Sequence, residues 1–138
     1  SRTRAGEGRT PAGFVGRWGP AIAVALIILA GTSIPVNVNT GPVEESGIRP
    51  DRVAHIVLYG SLQLALLRGI GGAALTASLR HHALAFLSTL GFGLFDEVHQ
   101  IPVPNRDFEW SDILFDALGA ALASGIVLLL RRRKGRVA

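Results

Sequence analysis

Cysteine and methionine are both missing from the 138 residues. The first absence excludes a disulfide framework, a thiolate nucleophile and any Cys-based metal site. The second implies that Ser1 is not the translated start and that the N-terminus is processed or trimmed. Charge is scarce too: 17% of residues are charged against 49% hydrophobic. That balance is unusual for a soluble chain of this size and favours a membrane protein of one domain. No H-E-x-x-H, nucleophile elbow or Gly-Lys phosphate loop occurs, and no repeat at a solenoid period. The net charge is +4, but the bases flank apolar runs without interleaved stacking aromatics, so nucleic acid is not expected as a partner.

What the chain does have is apolar runs. Residues 1–17 are Gly-rich and basic and read as a disordered tail. Residues 18–36 carry AIAVALIILAG and no charge, about enough to span a bilayer core, with Trp18 at the interface. A cleaved signal peptide competes with that reading. No clear A-x-A site follows, so a retained helix is expected. Residues 37–50 form a loop. Residues 51–70, 83–100 and 111–130 give three further helices, the last capped by Ser111. Gly91, Gly93, Gly119 and Gly125 suit close helix approach in lipid. The expected architecture is all-α: four transmembrane helices over residues 18–130, then a basic tail over 131–138. Of 14 Lys and Arg, 11 lie in the two tails and the turn at 68–82. Four spans put these three regions on one side, which the positive-inside rule makes cytoplasmic. The basic tails could also touch anionic lipids.

The polar residues are patterned. Asp51, His55, Tyr59 and Gln63 recur every four residues, one stripe of a helix. The third run ends in Asp96, Glu97, His99 and Gln100. A Pro-bounded turn follows with Arg106, and Asp112 and Asp116 open the fourth run. All fall near the outer membrane boundary. Carboxylates this close repel unless a cation, a proton or a metal intervenes, and Arg106 and His55 are the candidate counter-charges. Three explanations remain open. The first is an ion-pair network that only locks the helix ends. The second is a site for a polar headgroup or cell-surface precursor, with Arg106 reading phosphate or carboxylate. The third is an enzyme, with His55 and Glu97 as an acid–base pair, or with Asp and His groups on a metal. The candidate ligand-binding set is Asp51, His55, Tyr59, Asp96, Glu97, Gln100, Arg106, Asp112 and Asp116, with no cofactor and no metal expected. Blander readings apply elsewhere. His81 and His82 read as solvated, His99 as interfacial, and Tyr59 as a snorkelling packing residue.

These motifs resemble the VanZ-like family, small multi-helix membrane proteins named after a protein linked to resistance against the glycopeptide teicoplanin. Asp51-Arg52-Val53-Ala54-His55 is similar to the family's Asp-Lys-x-x-His. Glu97-Val98-His99-Gln100 looks like its Glu-x-x-Gln. Pro104-Asn105-Arg106 with Asp112, Asp116 and Gly119 resembles its Pro-Gly-Arg, Asp, Asn, Gly series. Arg52, Asn105 and Asp116 depart from it, standing where Lys, Gly and Asn are usual. The resemblance implies a cell-envelope role, with a glycopeptide or an envelope precursor as ligand. The leading expectation is a non-enzymatic envelope protein with an outward polar pocket. Arg106 would anchor the ligand, Glu97 and Gln100 orient it, and His55 tune protonation. An enzyme acting on a lipid-linked substrate and a structural subunit with a membrane protein partner are the alternatives.

Overall fold

Four helices account for nearly all of the order. The computed structural model describes residues 11–35 and 49–137. The loop expected at 37–50 lies outside that range up to residue 48, as do the first ten residues; its last residue, Pro50, already belongs to a helix. The helices are α1 (Pro11–Thr32), α2 (Pro50–Gly71), α3 (Leu79–Gln100) and α4 (Trp110–Val137), with a 3₁₀ turn at Ala74–Thr76 between α2 and α3. No strand occurs among the described residues. Successive helices run up and down. Thr32, Pro50, Gln100 and Trp110 lie toward one end of the bundle; the start of α1, the end of α2, the start of α3 and the end of α4 lie toward the other.

Local chemistry sets the boundaries. α2 starts with a proline behind an extended Arg49 and stops at Gly72, whose φ of 80° only glycine adopts freely. Ser78 caps α3 reciprocally: its Oγ accepts from His81 N–H at 3.4 Å, and its own N–H donates to His81 Nδ1 at 3.2 Å. This is a capping box with an imidazole where Glu or Gln usually stands. His81 is therefore engaged rather than simply solvated. α3 ends just before the Pro102–Pro104 turn.

Three boundaries differ from expectation. Residues 11–17 are helical rather than a disordered tail, and the last of them is fastened to α2. Arg17 donates to the orphan carbonyls of Gly69 and Ile70 at the α2 C-terminus, and the Trp18 ring lies where a β-carbon at Gly69 would fall. α4 runs on through the C-terminal basic cluster. Arg and Lys are good helix formers, and Arg131 Nη1 donates to the Ala77 carbonyl at 2.9 Å. Ser111 lies inside the first turn of α4, with its Oγ on Glu109 Oε2 at 3.2 Å, so it does not cap that helix.

The bundle is apolar outside and polar inside. Leu87, Phe95, Leu114 and Leu129 are more than half exposed, whereas Gln63, Thr89, Asp96, Glu97, Gln100 and Asp116 are buried. Water would not select that arrangement; a hydrocarbon solvent would. α1, α2 and α4 each contain a segment long and apolar enough to cross a membrane. α3 is as long as α2 at 22 residues. Its polar residues lower its average hydropathy, but His82, Thr89, Asp96, Glu97 and Gln100 point inward, and Leu84, Leu87, Leu94, Phe95 and Val98 cover its outer face.

α2 and α4 make the most extensive contact in the bundle, and glycine permits it. A β-carbon at Gly119 would strike the Ile56 carbonyl oxygen and lie 2.9 Å from Ile56 Cα. One at Gly60 would lie 3.2 Å from the Gly119 carbonyl oxygen. Gly91 and Gly125, also expected to serve close approach, have open space around them. The apolar core is small: Ile28, Tyr59 and Leu62 form one cluster, and Leu67, Ala77, Ala85 and Val127 another.

Candidate functional site

The i, i+4 stripe on α2 forms the spine of the site. His55 stands between the two acids of α4. Its Nδ1 lies 2.7 Å from Asp116 Oδ1 and its Nε2 3.4 Å from Asp112 Oδ2. The four-residue spacing of Asp112 and Asp116 puts both on one face of α4, so one imidazole meets both. One turn along α2, Tyr59 is only 1% exposed, and its hydroxyl donates to Asp96 Oδ2 at 3.1 Å. Tyr59 is thus a buried donor rather than a snorkelling side chain. Its ring stacks on His55, with centroids 5.9 Å apart.

α3 supplies the third wall. Gln100 Nε2 donates to Glu97 Oε1 at 3.2 Å and lies 3.4 Å from Asp96 Oδ2. Glu97 Oε2 accepts the Glu109 backbone N–H at 2.8 Å, placing a carboxylate ahead of the α4 N-terminus, where the helix dipole favours it. Gly93, one turn before Glu97, makes room for Asp116: a β-carbon there would come within 2.6 Å of Asp116 Oδ2. His55, Glu97 and Asp112 each offer a ligating atom within 4.8 Å of the others.

Arg106 takes a different part from the one its charge implies. Its Nη1 donates to Gln100 Oε1 at 3.0 Å, while Nε and Nη2 donate to the Ile34 and Gly31 carbonyls, each at 3.1 Å. It ties the loop before α4 to the end of α1. Among the described residues the ion pairs of the cluster acids are with His55, not Arg106. Asn105 beside it has φ 61°, the left-handed conformation that glycine favours and asparagine tolerates. Asp51 sits at the rim, about half exposed and paired with Arg49 at 2.8 Å.

α1 enters the site unannounced. Thr32 Oγ1 donates to Asp96 Oδ1 at 2.7 Å. A cleft of about 220 Å³ opens between α1 and α2. Ile28, Ala54 and Leu58 line it, along with Thr32, Asp51, His55, Tyr59, Asp96 and Arg106. Glu97, Gln100, Asp112 and Asp116 lie behind this lining. A second polar layer sits deeper. Gln63 Nε2 donates to Ser124 Oγ and Thr89 Oγ1 donates to Gln63 Oε1, both at 2.9 Å. Nothing in the local sequence marks Thr32, Thr89 or Ser124, because single hydroxyls in apolar helices are common. His82, read as solvated, is buried, and neither ring nitrogen has a hydrogen-bond partner. His99 stacks along the helix on Phe95, centroids 6.2 Å apart.

An all-helical chain with an apolar exterior, a polar interior and three helices of spanning length is a helical membrane protein. The VanZ/LLP1 family matches residues 21–131, most of the chain, and the protein belongs to that family. No curated protein and no solved structure matches the sequence.

Proposed function

We propose that this is a multi-pass cell-envelope protein whose outward mouth holds the polar head of an amphipathic, lipid-linked envelope molecule. All four helices cross the membrane in this reading, and both termini are cytoplasmic. The support for α3 is its inward polar and outward apolar faces. The support for the orientation is the segregation of Arg17, Arg68, Arg80 and Arg131–Arg133 from the acids at the opposite end.

One observation carries the ligand reading. The α1–α2 cleft combines an apolar wall of Ile28, Ala54 and Leu58 with polar groups from Asp51, His55, Tyr59, Asp96 and Arg106. A pocket with a greasy side and a polar side suits a molecule built the same way. Asp51 and Asp96 face His55 and Arg106 there, and the Arg106 donors are already taken by Gln100 and two backbone carbonyls, so hydroxyl, amide or amine groups fit better than a bare anion. Glycopeptides and envelope precursors belong to this class of ligand.

The competing reading is a purely structural lock. It draws on Arg106, whose donors go to the Gly31 and Ile34 carbonyls. The test uses the full chain in lipid nanodiscs and native mass spectrometry. The probe is a polyisoprenyl-phosphate-linked disaccharide, with the polyisoprenyl phosphate alone as reference. Preferential retention of the saccharide-bearing probe, reduced at least tenfold in Asp96→Asn with unchanged melting, supports the pocket. Equal retention of both probes, or no retention, leaves the structural lock as the function of the cluster.

A further inference from the structure

The acids of the cluster are poorly balanced. Asp96, Glu97, Asp112 and Asp116 converge from α3 and α4, and among the described residues His55 is the base paired with any of them. Asp116 is fully buried, yet its Oδ2 has no hydrogen-bond partner. A buried carboxylate with a bare oxygen is costly unless a further positive charge stands nearby.

The imidazole says where that charge belongs. Asp116 Oδ1 sits 2.7 Å from His55 Nδ1, so Nδ1 is the donor nitrogen and Nε2 is turned toward Asp112, with Glu97 offering an oxygen to the same group within 4.8 Å. Nε2 lies 3.4 Å from Asp112 Oδ2, longer than the ~2.7–2.9 Å of a charge-assisted hydrogen bond. It is, however, close to the separation of two ligands on one tetrahedral ion, about 3.3 Å for bonds of ~2.0–2.1 Å. The outer contacts fit as well. A metal-bound histidine usually passes its other N–H to a carboxylate, and ligating carboxylates are themselves hydrogen-bonded. Asp116 does the first for His55, and Gln100 Nε2 with the Glu109 N–H does the second for Glu97.

We propose that His55 Nε2, Glu97 and Asp112 form a binding site for a divalent cation, with Asp116 as the carboxylate that orients the imidazole. One nitrogen and two carboxylates suit Zn²⁺ or Mn²⁺ better than Mg²⁺ or Ca²⁺, which take oxygen donors, or Cu⁺, which takes sulfur. The proposal rests on the reading of this cluster as a ligand site. It replaces the expectation of a metal-free pocket.

The test strips the full chain in nanodiscs with EDTA and titrates it with Zn²⁺, Mn²⁺ and Co²⁺ alone, with no envelope ligand present. One equivalent should be retained, and the Co²⁺ adduct should show a visible d–d band and one paramagnetically shifted imidazole N–H. Glu97→Gln and Asp112→Asn should each weaken binding more than tenfold. Asp116→Asn should weaken it by ~10–100-fold, and the exposed Asp107→Asn not at all. Failure to retain metal overturns the site. So does uptake unchanged by Glu97→Gln and Asp112→Asn. Should those variants not fold, the Co²⁺ spectrum of the unsubstituted chain decides: lack of imidazole ligation overturns the proposal. Saccharide-probe binding that survives EDTA with no metal uptake removes the cation and leaves the pocket; metal uptake without probe binding does the reverse.

Discussion

The two polar layers of the bundle are built on opposite plans. At mid-depth, Gln63, Thr89 and Ser124 are neutral and satisfy one another at 2.9 Å. At the mouth, the carboxylates of Glu97, Asp112 and Asp116 gather around one imidazole, and Asp116 Oδ2 is left without a partner. A satisfied neutral network fixes helices to each other. A charged, imbalanced one is costly on its own and makes sense when something else completes it. The same α2 stripe feeds both layers, so the contrast lies in the partners that α3 and α4 present.

The largest effect should come from separating α2 and α4, which undoes both layers together. Gly119→Val drives a side chain into the Ile56 backbone. It should cost more than about 3 kcal/mol and appear as loss of monodisperse protein in detergent. The next experiment isolates the inner layer. Gln63→Leu strands the Thr89 and Ser124 hydroxyls and should lower stability by ~1–2 kcal/mol, read from reversible unfolding in mixed micelles. The outer layer should respond in the opposite sense. Asp116→Asn relieves the uncompensated carboxylate, so stability should hold or rise by up to ~1 kcal/mol while cation or probe retention falls. A loss as large as that of Gln63→Leu would show the two layers to be alike. Asn105→Val, at φ 61°, should be less stable than Asn105→Gly by ~1–2 kcal/mol. Smallest of all, Asp51→Asn at the exposed rim should change stability by less than ~0.5 kcal/mol.

Much of the mouth was legible because its residues are costly in lipid and spaced by the helical repeat. Asp51, His55 and Tyr59 share a face through their spacing alone, and so do Asp112 and Asp116. The end of α3 and the start of α4 are joined by a short loop, so Glu97 and Asp112 had to be near neighbours. The sequence does not reveal a partner that looks ordinary in its own helix. Thr32 reads as the polar end of an apolar run, and only the packing of α1 against α3 turns it into a donor for Asp96. The targets of Arg106 were hidden for a related reason: backbone carbonyls have no sequence signature. The anchorage of Arg17 on the Gly69 and Ile70 carbonyls, more than fifty positions away, is hidden in the same way. As for the membrane assignment, α3 shows that an average over a segment misses what a face reveals.

The meeting of Gly119 with the Ile56 backbone has a mechanical consequence. Two main chains in direct touch cannot slide or roll without collision, so α2 and α4 behave as one stiff post. α1 is fastened near the cleft by the Thr32 hydroxyl and by two carbonyls held by Arg106. Any widening of the entrance would therefore have to come from α1, whose ties there are single side-chain hydrogen bonds rather than main chain against main chain.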